Sequence, residues 1–104
     1  MGYAKERGKL EKLSAKITGL TNYDDKTLAV ISDIYEQYSH TTRILKNKDA
    51  DTFMGVYQNE LQQVKELRKA LKESEHDDDR QLNFTKYKDG LSDALNKTIQ
   101  ASMA

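Results

Sequence analysis

The stretch "TLAVISDIYEQYSHTTRIL", residues 27–45, sets the fold class of the chain. Its core-type side chains recur at three- and four-residue steps, so they share one face of a helix. These side chains are Leu28, Ile31, Ile34, Tyr35, Tyr38, Thr42 and Leu45. The 104 residues contain no proline and only five glycines, so long segments can stay helical. The pattern predicts a helix over about residues 24–46, with Asp24 or Asp25 as its N-cap.

Three other segments repeat this helical period. One covers about residues 3–19, and its stripe consists of Glu6, Leu10, Leu13, Ile17 and Leu20. Another covers about residues 51–75 after an N-cap at Asp51, and its inward side chains are Phe53, Val56, Tyr57, Leu61, Val64, Leu67 and Leu71. The last covers about residues 84–102, with Asn83 as its N-cap.

The polar run "ESEHDDDR", residues 73–80, holds no apolar side chain and predicts a loop. Four amphipathic helices joined by short connections bury their apolar stripes most simply against one another. The sequence therefore predicts an all-α fold, an antiparallel up-down-up-down four-helix bundle formed by a single domain over residues 1–104.

The residue inventory argues against an enzyme. The chain has no cysteine and two histidines, so few nucleophile and base pairs are available. Helix-spaced Glu-x-x-His pairs, phosphate-binding glycine loops and EF-hand loops are also missing from the sequence. We expect neither a metal nor a cofactor, and a function in protein recognition.

Charge and hydropathy restrict the partners further. A formal net charge of zero argues against nucleic acid, which normally requires a basic surface. The longest apolar run, residues 28–31, is far shorter than the roughly 20 residues of a membrane span. The basic start leads into an amphipathic pattern and not into a secretion leader. We expect a monomer in the cytoplasm, either free or peripheral at the inner face of the membrane.

Two stretches carry a likeness to a known family. "NFTKYKDGLSDALNKTI", residues 83–99, resembles the start of the last helix in the enterocin A-type immunity proteins. That family repeats Phe-Thr-x-Tyr, a polar pair and a leucine at this place, and the matching positions here are Phe84, Thr85, Tyr87 and Leu91. "TLAVISDIYEQY", residues 27–38, is similar to the second helix of the family.

The resemblance implies immunity to a pediocin-like bacteriocin of class IIa. Members of the family protect the producing cell by blocking a pore and not by destroying the peptide. They act on the mannose phosphotransferase permease, the membrane receptor of the bacteriocin, and bind the occupied receptor from the cytoplasmic side. Specificity is attributed to the C-terminal half of the chain, and the resemblance implies no catalytic residue.

The last predicted helix separates structural from partner-binding side chains. Phe84 and Tyr87 lie on its apolar face and are expected to be structural. The tentative partner-binding residues lie on its other faces, and they are Lys86, Lys88, Asp89, Gly90, Asp93 and Lys97. Gly90 can permit close approach either of a neighbouring helix or of the receptor. We expect Gly90→Leu to leave the fold largely intact and to impair function.

A second interpretation is a small helical hairpin of a type VII secretion system, acting as a dimeric interaction protein. Phe53-Met54-Gly55 could imitate the Trp-x-Gly turn between the two helices of such hairpins. The number of helices distinguishes the two interpretations, because the hairpins have two long helices and the bundle has four.

Overall fold

The computed structural model describes residues 3–21 and 23–103, and these residues form four helices and no strand. Helix α1 covers Ala4–Thr18 and helix α2 covers Asp25–Lys48. Helix α3 is continuous through Ala50–Gly55, a π-helical segment Val56–Glu60, and Leu61–Lys72. Helix α4 covers Asp77–Ala101. The predicted all-α class is therefore confirmed.

Consecutive helices run in opposite directions. Tyr3, before α1, donates a hydrogen bond of 2.8 Å to Asp49, after α2. Asp49 alone separates α2 from α3, so the chain reverses at one residue. Asn83, early in α4, donates a hydrogen bond of 2.7 Å to Ser74, just after α3. Each of these contacts joins the end of one helix to the start of its neighbour.

The bundle closes between its first and last helices. Ser14 in α1 donates a hydrogen bond of 3.3 Å to Asn96 in α4, and the two helices are antiparallel. Across the centre, the hydroxyls of Tyr38 in α2 and Thr98 in α4 lie 3.0 Å apart. The rings of Tyr35 in α2 and Tyr87 in α4 also meet, with centroids 6.4 Å apart, so residue numbers increase together along the two helices. This parallel direction is compatible with an up-down-up-down bundle.

The predicted apolar stripes form one core. Leu10, Leu13, Ile17 and Leu20 of the first stripe are all buried. Every predicted core residue of α2 is buried except Leu28, which is partly buried against the same core. Glu6, on the first stripe, is buried as well, and its carboxylate forms an ion pair of 3.0 Å with Lys48. Removal of these apolar side chains from water is the main term that stabilises the bundle.

The predicted start of the last helix is wrong. Helix α4 begins at Asp77 and not at residue 84, and Asn83 lies inside it. Helix α3 ends at Lys72 and not at residue 75, and the connection to α4 consists of residues 73–76. Asp77, Asp78 and Asp79 occupy the first turn of α4. Their carboxylates lie at the positive end of the helix dipole, which stabilises a turn that carries no apolar residue.

Aspartates cap the two central helices. Asp24 accepts a hydrogen bond of 2.8 Å from the backbone N–H of Thr27, whose hydroxyl accepts in return from the Asp24 backbone. Asp49, and not the predicted Asp51, caps α3 by accepting from the N–H of Thr52. The bond from the Thr27 N–H lowers the pKa of Asp24. The hydroxyls of Thr52 and Tyr3 lower the pKa of Asp49.

The π-helical segment adds a wide turn to α3. The N–H of Leu61 bonds to the carbonyl of Val56, five residues earlier, instead of the usual four. The segment lies where α3 faces the second half of α4. Such turns are often found at functional sites.

In the part of the chain that the structure describes, no helix combines the length and the apolar character required to cross a membrane.

We expect the free energy of unfolding to fall on acidification. A carboxylate with a lowered folded-state pKa contributes fully above its unfolded pKa, about 4. That contribution is lost as the pH falls through the folded-state value. Asp24→Asn keeps a hydrogen-bond acceptor but cannot titrate, so it should flatten the dependence of the melting temperature on pH below about 4. Circular dichroism melts across the acid range measure this slope.

Asp93→Asn, which removes a carboxylate that caps no helix, is the matched control for that comparison. An Asp24→Asn slope equal to that of the wild type would show that the capping carboxylate contributes nothing to acid sensitivity.

Candidate partner-binding groove between α3 and α4

A shallow groove runs between the π-helical segment of α3 and the second half of α4. Its volume is about 160 Å³. The lining residues are Glu60, Gln63, Gly90, Asp93, Ala94 and Lys97. Three of the six tentative partner-binding residues, Gly90, Asp93 and Lys97, therefore lie side by side.

Helical spacing explains why these three meet. Gly90, Asp93 and Lys97 stand at i, i+3 and i+7, so they share one edge of α4. Lys86, one turn before Gly90, continues the same edge and is exposed. Glu60 and Gln63, also three residues apart, form the opposite side of the groove, on α3. The groove is thus built from two helix edges and not from a loop, which fixes its shape.

The remaining two predicted residues lie elsewhere on α4. Lys88 is about 200° around the helix from Gly90 and is half-buried. Asp89 is exposed, about 100° from Gly90. Lys88 is therefore separated from the groove, whereas Asp89, one turn before Asp93, borders the groove without lining it.

Helices α3 and α4 approach each other closely at Gly90. A Cβ atom built on Gly90 would overlap the Cδ1 methyl of Leu67, which is partly buried in α3. A larger residue at Gly90 therefore requires the Leu67 side chain to move, and the expectation that Gly90→Leu leaves the fold largely intact stays a prediction. Of the two roles that the sequence left open for Gly90, close approach of a neighbouring helix is the one the geometry supports.

The side chains that carry the family resemblance are mostly internal. Phe84, Tyr87 and Leu91 are buried, as predicted for the apolar face of α4. Phe84 meets the ring of Tyr23 edge to face, with centroids 5.6 Å apart. Thr85 is exposed, and its hydroxyl donates to a backbone carbonyl one turn earlier in α4. This motif holds α4 in the bundle and leaves recognition to other side chains.

The groove carries charges that have no internal partner. Among residues 3–21 and 23–103, the ion pairs are Lys48 with Glu6 and Arg80 with Asp77. Neither pair involves the groove, where Asp93 and Lys97 are exposed and Glu60 is half-buried. Such charges can select a partner through electrostatic complementarity.

Glu60 and Gln63 were not predicted as site residues. The α3 pattern assigns them to a solvated face, and one sequence does not specify which edge of α4 lies beside that face. In the described part of the chain, no three His, Asp or Glu side chains converge as metal ligands would.

Neither family models, nor curated proteins, nor solved structures give a match to the chain.

We expect Gly90→Leu to lower the free energy of unfolding by roughly 1–3 kcal/mol, because the new side chain overpacks the crossing with Leu67. Gly8→Ala is the matched control, since a Cβ atom at Gly8 meets nothing within 4 Å. That change should stabilise α1 by roughly 0.5–1 kcal/mol through helix propensity. Chemical denaturation followed by circular dichroism measures both.

Leu67→Ala makes room at the crossing and should reduce the penalty of Gly90→Leu in the double variant. An equal penalty in both backgrounds would mean that Gly90 and Leu67 are not in contact.

Proposed function

We propose that this chain is an immunity protein against a pediocin-like bacteriocin. In this proposal it binds the bacteriocin-occupied mannose phosphotransferase permease from the cytoplasmic side through the α3–α4 groove, and holds the pore closed. The observation that carries the proposal is the division of α4 into two faces. One face buries the motif of Phe84, Tyr87 and Leu91, and another presents unpaired charges beside α3.

The geometry of the groove suits the binding of a partner without a chemical reaction. Glu60 and Asp93 supply two carboxylates, and Lys97 supplies one ammonium group on the same strip of surface. A receptor segment that fits it would place a cation near the carboxylates and an anion near Lys97. Because both sides of the groove are helices of a packed bundle, little conformational entropy is lost when the partner binds.

The secretion-hairpin interpretation fits the described residues less well. These residues form four helices around one core and not two long ones. Phe53 is fully buried and Gly55 has helical dihedral angles within α3, so residues 53–55 do not form a turn between hairpin helices. The four-helix arrangement supports the immunity proposal.

We expect expression of the chain in a bacteriocin-sensitive strain to raise the inhibitory concentration of one or a few pediocin-like peptides. Lys97→Glu and Asp93→Lys should each reduce this protection by about tenfold, because reversing one interfacial charge costs on the order of 1.4 kcal/mol. Growth inhibition across a panel of such peptides measures the effect.

Lys12→Glu, an exposed reversal on α1, is the matched control and should protect like the wild type. Immunoblots and circular dichroism would establish equal accumulation and folding of the variants. Unchanged sensitivity of the strain to the whole panel would rule out the immunity function, and full protection by both groove variants would rule out the groove.

A further inference from the structure

A larger cavity opens at the end of the bundle where α2 begins, α3 ends and α4 begins. Its volume is about 360 Å³, within the range of roughly 300–1,000 Å³ that ligand pockets occupy. None of its lining residues belongs to the α3–α4 groove. The cavity is therefore a separate feature of the molecule.

Three cations line this cavity and no carboxylate does. They are Arg68 and Lys72 of α3 and Arg80 of α4. Arg68 and Lys72 are one turn apart, so their side chains lie on the same side of α3. Like charges gathered at one cavity repel one another, and a bound anion would relieve that repulsion.

The two guanidinium groups are held in place. The guanidinium of Arg68 lies over the ring of Tyr35, 4.9 Å from its centroid. Arg80 donates a hydrogen bond of 3.3 Å to the carbonyl of Ser74, and it pairs at 3.2 Å with Asp77, a strongly exposed carboxylate. Lys72 forms no ion pair with any described residue. The cationic side of the cavity is thus partly preorganised.

The other walls are apolar or aromatic. Leu28 and Leu71 line the cavity together with the rings of Tyr23 and Tyr87. Tyr87 is 2% exposed, and its buried hydroxyl donates no hydrogen bond within the described residues, although the Arg68 guanidinium lies close to it. Burial raises the pKa of the Tyr87 phenol, so it remains a proton donor at neutral pH. An unused buried donor beside three cations suits an acceptor that carries negative charge.

We propose that this cavity binds an apolar carboxylate. The carboxylate lies between Arg68 and Lys72 and accepts hydrogen bonds from them, and the apolar body packs against Leu28 and Leu71. For the carboxylate to reach the buried Tyr87 hydroxyl as well, the Arg68 side chain has to move. Two sources offer this chemistry, a free small acid and the C-terminal residue of a peptide. The inference does not depend on the proposed immunity function.

Titration of the isotope-labelled chain with 3-phenylpropionate, followed by NMR, tests the proposal. We expect amide shifts that cluster at the cavity and saturate below about 10 mM, and a raised melting temperature. The neutral 3-phenylpropanamide should bind at least about tenfold more weakly, because it lacks the charge. Inorganic phosphate, which has no apolar body, should also bind more weakly.

Arg68→Gln and Lys72→Gln should each weaken 3-phenylpropionate binding by about tenfold. Lys72 is exposed, so its variant keeps the test valid if Arg68→Gln disturbs the contact with Tyr35. Lys97→Gln, in the groove, is the matched control and should leave binding unchanged.

Acetyl-Ala-Phe with a free or an amidated C-terminus distinguishes the two sources. Tighter binding of the free peptide than of 3-phenylpropionate supports a peptide end, and the reverse order supports a small acid. No clustered shift with any carboxylate, or equal binding of 3-phenylpropanamide, overturns the proposal. Equal binding of phosphate overturns the inference that the ligand has an apolar body. Loss of protection in groove variants tests immunity separately.

Discussion

The close approach of α4 to α3 at Gly90 determines the surfaces on which the proposed activities depend. The absence of a Cβ atom lets the backbone of α4 lie against Leu67, and no larger residue fits there without movement of that side chain. One turn towards the C-terminus, the same edge of α4 forms the groove with Asp93. One turn towards the N-terminus, Tyr87 lines the cationic cavity beside Arg68. A change in the spacing of these two helices would alter both surfaces together.

Polar contacts at the helix ends complement this packing. Tyr3 and Glu6 join the start of α1 to Asp49 and Lys48 at the end of α2. Buried apolar stripes are non-directional and define only which faces turn inward. Hydrogen bonds between particular helix ends also specify which end of each helix lies beside which neighbour. Stripes and end contacts agree on a single antiparallel arrangement, which is the consistency expected of a sequence with one folded state.

Much of the fold could be predicted from hydrophobic period alone, since Leu10, Ile31 and Phe84 are all buried where their helical stripes require. The start of α4 could not be predicted in this way. Its first turn exposes aspartates and contains no apolar residue, so the hydrophobic pattern does not mark it as helical. Part of the candidate α3–α4 groove could be predicted. The helical spacing of Gly90, Asp93 and Lys97 places them on one edge of α4. The opposite side of the groove depends on which edge of α3 lies beside them. Which edges of α3 and α4 face each other is a property of the tertiary structure, and it cannot be read from a single sequence.

The proposed immunity function requires that the bundle bind a receptor only in its bacteriocin-bound state. Purification of tagged permease from membranes containing this chain, with and without the matching bacteriocin, tests that claim most directly. We expect the chain to be retained when bacteriocin is present, and Lys97→Glu to reduce that retention. Equal retention with and without bacteriocin, or no retention in either case, would contradict it.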